Sequence, residues 1–228
     1  MSESKGVKFL RFLAEHGLAV TIGLAAIVRI YLLLIREYVI VNVGLLYVQW
    51  IEKIQELGFK GAFTNAYPFN LFPLFAACLQ KISFGSLSAE TSVLIMNFFF
   101  GLLALVPVYL LAKRIFGKLP ALVTGFYIAW HPIFTEVSCQ VLREAPAICF
   151  GLWAVYFLLT GLEKEEPENW DYKKLALSLV FIFLALLIRL EMLALLFVAF
   201  ITLFLAHYEK GRDNHFKARF KIFFVCAA

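Results

Sequence analysis

Long apolar runs alternate along this chain with short polar interruptions. The runs cover residues 17–35, 89–112, 119–134, 145–162, 175–188 and 192–206. A helix rising ~1.5 Å per residue needs about 20 such residues to cross a ~30 Å hydrocarbon core. The pattern predicts an all-α polytopic membrane protein of about six transmembrane helices, forming a single transmembrane domain over residues 1–228. A last apolar run, 222–228, is too short to span and reads as the start of a seventh helix, so the chain reads as the N-terminal part of a longer module. Residues 1–17 carry no small-residue cleavage site, so the first span reads as a retained anchor. It is led in by the basic, amphipathic Lys8-Phe9-Leu10-Arg11-Phe12-Leu13.

Between the first two spans, residues 36–88 are too long and too patterned to be a mere connector. Trp50, Ile51, Ile54 and Leu57 recur at helical spacing, with Gln49, Glu52, Lys53 and Glu56 on the other side. One apolar and one charged face on a helix predict that it lies in the membrane interface. Gly58, Gly61, Thr64 and Asn65 break that helix, and Tyr67-Pro68-Phe69-Asn70-Leu71-Phe72-Pro73 opens a second one reaching Phe84. The stretch is thus predicted to be a loop with two juxtamembrane helices, and long ordered loops often carry function.

Composition strengthens the membrane assignment. Of 228 residues 62% are hydrophobic, and mean hydropathy is +0.84, too little polar surface for a soluble domain of this size. The formal charge of +5 calls for no nucleic acid, because the basic residues cluster beside spans and orient them. With the N-terminus in the cytoplasm, fourteen Lys and Arg fall on the inner side and seven on the outer. That balance puts residues 36–88 on the extracytoplasmic face of the cell (inner) membrane. The four cysteines show no metal-ligand spacing. Cys78 and Cys139 fall on one side in this topology, but buried free thiols are the ordinary reading of cysteines in apolar runs.

This topology brings Arg29, Tyr47, Glu52, Glu136, Arg143, Glu144, Arg189 and Glu191 to the outer ends of helices. Ionisable groups bordering a membrane are costly and are functional candidates by default. Two readings stand for each. Glu144, before Ala145-Pro146, is either a first-turn helix residue or a carboxylate facing an outer cleft as base, metal ligand or sugar acceptor of hydrogen bonds. Arg189 and Glu191, in a three-residue turn, either anchor the interface or recognise phosphate, which guanidinium matches geometrically. Arg29 either faces protein or water inside the membrane or snorkels to its surface. No Gly-rich phosphate loop, Ser/His/Asp arrangement or His pair is present. His131-Pro132 reads as a span end, and Asn97 and Gly101, one turn apart, as helix-packing positions.

The order of these pieces resembles the N-terminal half of the GT-C superfamily of membrane glycosyltransferases, in the family-39, dolichyl-phosphate-mannose–protein mannosyltransferase-like group. The resemblance rests on Arg29-Ile30, Gly44-Leu45-Leu46-Tyr47, Tyr67-Pro68 to Pro73, Asn97, Gly101, Tyr109 and Leu111 to Gly117. It continues through His131-Pro132, Glu136, Leu142-Arg143-Glu144 and Leu187 to Glu191. It implies transfer of a sugar from a polyprenyl-phosphate donor to a lipid, glycan or protein acceptor at the extracytoplasmic face. On this reading Glu144 and Glu136 are the candidate catalytic carboxylates, Arg189, Arg143 and Arg29 the candidate partners of the donor phosphate, and Tyr47, Glu191 and Glu52 the candidate pocket residues. Membrane lipids are the surrounding partners, no cofactor is assigned, and a divalent metal is left open. The family's base is an Asp just before a Gly-x-x-Tyr-like stretch; here that position is Val43, preceded by Asn42. Both aspartates of the chain, Asp171 and Asp213, fall on the predicted inner face.

Overall fold

A computed structural model describes residues 15–35, 42–63, 70–163 and 170–208. The lead-in at 8–13, the opening of the long loop at 36–41, Tyr67-Pro68-Phe69, residues 164–169, the basic segment from 209 and the run 222–228 lie outside the described residues. Every regular element among the described residues is helical. They are α1 (Gly17–Ile35), α2 (Asn42–Leu57), a 3₁₀ turn (Gly58–Phe63), α3 (Leu71–Ile82), α4 (Ala89–Leu103) and α5 (Leu105–Phe116). α6 (Lys118–Trp130), α7 (Pro132–Ser138), α8 (Glu144–Gly161), α9 (Tyr172–Ile188), a 3₁₀ turn (Leu190–Met192) and α10 (Leu193–Tyr208) follow. The chain is an all-α membrane protein. Among the described residues, three helical stretches are both apolar and at least 18 residues long: Gly17–Ile35, Ala89–Phe116 and Glu144–Gly161. α6, α9 and α10 have 13, 17 and 16 residues.

Local chemistry sets the boundaries. The Asn70 side chain accepts the Phe72 N–H at 2.9 Å and starts α3; Ser88 caps α4 through the Thr91 N–H at 3.1 Å. Between α4 and α5 the break at Ala104 follows from Pro107, which has no N–H for the carbonyl of Leu103. α5 stops at Gly117, whose φ of 92° suits glycine alone. Pro132 acts twice. It withholds a donor from Ile128, whose carbonyl takes the His131 N–H at 3.2 Å instead, and it opens α7 from the first helical position. The third apolar run therefore ends at Trp130 rather than at Phe134. Residues 132–138, expected to lie partly in a polar turn, form a short helix.

Contacts divide the chain into two compact units, Met1–Pro146 and Ala147–Ala228. In the first, small residues let helices approach closely. A Cβ on Gly125 would sit 2.7 Å from Thr21 Oγ1, fixing α6 against α1. Ala25, Leu105 and Ala129 form the adjoining core. α2 buries Ile51 and Ile54 while Glu52, Lys53 and Glu56 stay exposed, as its pattern predicts, but Leu57, expected on the same apolar face, is exposed and Trp50 is half-buried. It packs on α3, where Gln55 Nε2 donates to the Ala77 carbonyl at 2.8 Å. In the second unit, Ser178 Oγ donates to the Ala154 carbonyl at 2.8 Å, joining α9 to α8. Trp153, Phe157 and Phe181 stack beside that bond. Of the cysteines, Cys78, Cys139 and Cys149 are free thiols, the last two buried.

Candidate functional site

Arg29 is fully buried in α1, in contact with protein on every side. Its Nη1 donates to the Ala25 carbonyl at 3.2 Å and to the Ala129 carbonyl at 3.4 Å. The second bond has a local cause: Ala129 lies in the last turn of α6, where carbonyls lose their helical partners and accept a cation. Nε and Nη2 are buried without a hydrogen-bond partner. Of the two sequence readings, enclosure in protein is the one realised.

α7 lies against this arginine. Gly101 of α4 leaves room for Ser138, whose Cβ would be 2.6 Å from a Cβ at position 101. Cys139 Sγ lies 3.8 Å from the Arg29 carbonyl oxygen, its weak acceptor. Thr135 and Ser138 turn their hydroxyls back onto carbonyls of their own helix, at 2.8 Å to His131 and 2.6 Å to Phe134. These polar residues thus satisfy themselves inside an apolar bundle. Glu136, on the exposed side of α7, accepts from Gln140 Nε2 at 2.9 Å. With Thr135 it supplies the polar end of a cavity of about 460 Å³ whose remaining wall includes Ile27, Val28, Tyr31 and Trp130. A concave, largely apolar cavity with a few polar groups at one end is the usual form of a small-ligand site.

From Cys139 the chain runs without regular structure to Glu144, the first residue of α8. Asn97 of α4, fully buried, holds this linker: its Nδ2 donates to the carbonyls of Gln140 and Leu142, both at 2.7 Å. Arg143 and Glu144 follow at once and are half-buried. Glu144 thus occupies the first turn of α8, where a carboxylate is favoured by the helix dipole.

The other predicted site residues lie elsewhere. Tyr47 is 4% exposed inside the α2–α3 contact, edge-on to Phe72 and Trp50 at centroid distances of 4.9 and 5.9 Å. Glu52 is on the exposed face of α2. In the second unit Arg189 Nε and Glu191 Oε2 pair at 3.3 Å in a partly exposed position, where such a pair is worth at most about 1 kcal/mol. The structure thus gathers Arg29, Glu136, Arg143 and Glu144 around α7 and its linker, and places Tyr47 and Glu52 on the α2–α3 pair. Among the described residues no group of three or more His, Cys, Asp or Glu is placed to hold a metal ion. Ser138, Gln140 and the linker carbonyls were not singled out from the sequence. The only signal was the Asn97/Gly101 spacing, which marks close packing but not its partner.

One family model matches the chain, over residues 71–228, and is described as dolichyl-phosphate-mannose-protein mannosyltransferase. No curated protein and no solved structure matches significantly.

Proposed function

We propose a sugar-transfer reaction for this chain, which belongs to the dolichyl-phosphate-mannose-protein mannosyltransferase family. The match over more than two thirds of its length is the observation that carries the proposal. Family membership supports a membrane glycosyltransferase-like function that draws on a lipid-linked sugar. The finer reading is that the donor is a polyprenyl-phosphate sugar, used at the extracytoplasmic face, with a lipid, glycan or protein as acceptor. The distribution of Lys and Arg supports that orientation.

In this reaction an acceptor hydroxyl oxygen bonds to the anomeric carbon as the bond from that carbon to the phosphate oxygen breaks. The hydroxyl proton passes to a carboxylate, and polyprenyl phosphate leaves with one more negative charge than it had in the donor. The chemistry therefore calls for a positioned base and for cations at the phosphate. Glu144 is the proposed base, with Glu136 at the α7 cavity as the alternative carboxylate. Arg143 and Arg189 are the proposed phosphate partners. Arg29, being enclosed, contributes a fixed charge from within the bundle rather than a direct bond. Tyr47, Glu191 and Glu52 shape the pocket in this proposal. A second reading, a lapsed transferase that binds lipid-linked sugar or serves as a scaffold, is favoured by one observation: Val43 stands where the family pattern has its aspartate.

The test is sugar transfer in membranes from a panel of polyprenyl-phosphate sugars. Turnover by the unaltered chain that falls roughly 10²–10⁴-fold in Glu144→Gln supports the base assignment. A loss confined to Glu136→Gln moves that role to α7. Activity seen only after Val43→Asp establishes the lapsed transferase.

A further inference from the structure

Residues 139–143 form no regular element, yet they deliver Arg143 and Glu144 to the start of α8. One side chain from another helix bridges two of their carbonyls, beside the Gln140 bond to Glu136 and the Cys139 contact with the Arg29 carbonyl. Asn97 is 43 and 45 residues away in sequence from the two carbonyls it binds, and both bonds are short at 2.7 Å. The amide is fully buried, so water cannot replace it. Both of its N–H groups are used, which fixes the amide's orientation and leaves Oδ1 buried without a hydrogen-bond partner. The same helix supplies Gly101, one turn on, as the seat for Ser138 just ahead of the linker. α4 thus grips the chain on both sides of Cys139.

We infer that Asn97 is a positioning residue: its amide ties the 139–143 linker to α4 and so sets where Arg143 and Glu144 stand at the start of α8. The catalytic part of this inference rests on the transferase reading; the tether itself does not. A carboxylate held within about half an ångström of its working position acts far better than one on a loose loop, so loss of the tether lowers turnover through Glu144 and weakens donor binding through Arg143.

The native thiols make the tether measurable without any activity. Cys139 lies in the linker and Cys149 in α8, both buried. With Cys78 and Cys226 changed to Ser, the full chain is reacted with N-ethylmaleimide, and each thiol is followed by mass spectrometry. In Asn97→Ala and in Asn97→Asp, which keeps the shape but removes the amide donors, Cys139 is expected to react at least tenfold faster while Cys149 keeps its rate. An unchanged Cys139, or an equal rise at both thiols, overturns the inference: the first means that nothing was held, the second that the amide supports the whole bundle. In the transfer assay, kcat is expected to fall at least tenfold in both variants and KM for the donor to rise, because Glu144 and Arg143 are displaced together. Intact kcat beside a reactive Cys139 overturns the catalytic part alone. A silent unaltered chain counts against the transferase reading and leaves the thiol result to decide the tether.

Discussion

Gly101 offers a direct measure of how tightly α4 and α7 are packed. A methyl at position 101 would lie 2.6 Å from Ser138 Cβ and 3.3 Å from Arg29 Nε. The Ser138 hydroxyl can rotate away, but its Cβ moves only with the α7 backbone. Arg29 is confined by its bonds to Ala25 and Ala129. Gly101→Ala therefore forces overpacking, at a cost of about 1–3 kcal/mol, against a gain of up to about 1 kcal/mol from replacing glycine inside a helix. A net loss of about 1–2 kcal/mol is expected. Ser138→Gly alone loses the hydrogen bond to Phe134 and some helix propensity, together about 1–2 kcal/mol. In the double variant the new methyl occupies the space the serine left, so the two losses do not add; a coupling of about 1–2 kcal/mol in favour of the pair is expected. The assay is unfolding in detergent micelles, titrated with SDS and followed by tryptophan fluorescence, on all four corners of the cycle. Additivity within about 0.5 kcal/mol, or a Gly101→Ala variant as stable as the unaltered chain, would refute the contact.

Two further outcomes are expected. Tyr47→Ala removes a buried ring from between Phe72 and Trp50 and should cost about 3–5 kcal/mol, read as loosening of α2 from α3 by hydrogen exchange; Tyr47→Phe keeps the ring contacts and should be milder. Asp171 caps α9 by accepting the Lys174 N–H at 3.2 Å and pairs with the Lys174 ammonium at 3.0 Å. The bond to the Lys174 side chain, then that to its backbone, holds the Asp171 carboxyl below its usual range. A carboxyl depressed in the folded state contributes stability above its unfolded pKa and loses it as pH falls through the folded value. The thermal midpoint should therefore decline below about pH 4, and that acid-side slope should flatten in Asp171→Asn, which keeps the cap without the charge.

The amphipathic helix of the long loop was legible at its centre, where Ile51 and Ile54 are buried and Glu52, Lys53 and Glu56 exposed, as the 3.6-residue period requires; Leu57, at its end, is exposed where the pattern expected burial. α7 was not. Seven residues are too few to show a period, and Thr135, Glu136 and Ser138 look like a turn until the Thr135 and Ser138 hydroxyls are seen bonding back to carbonyls of their own turn and helix. Arg29 was ambiguous for a different reason: whether a cation near a span end reaches water depends on its neighbours, and Ala25, Gly101 and Ala129 come from three separate helices. Asn97 carried a packing signal, but its acceptors are backbone carbonyls, which have no residue type to read. The Glu144 helix start was legible in Glu144-Ala145-Pro146, whereas the tether preceding it required the fold.

The break at His131–Pro132 has a consequence for depth. In the topology expected from the sequence, Lys118, beside Lys113 and Arg114, marks one boundary of the bilayer. Thirteen residues of α6 rise only ~20 Å from there, about 10 Å short of the far side of a ~30 Å core. On that topology α7, with the Glu136 side chain, would begin below the headgroups. A carboxyl group at that level would call for a dimple in the lipid or a thread of water reaching down to it. Chain length and headgroup composition of the host membrane then become variables of the chemistry, because a thicker bilayer buries α7 further and a thinner one opens it.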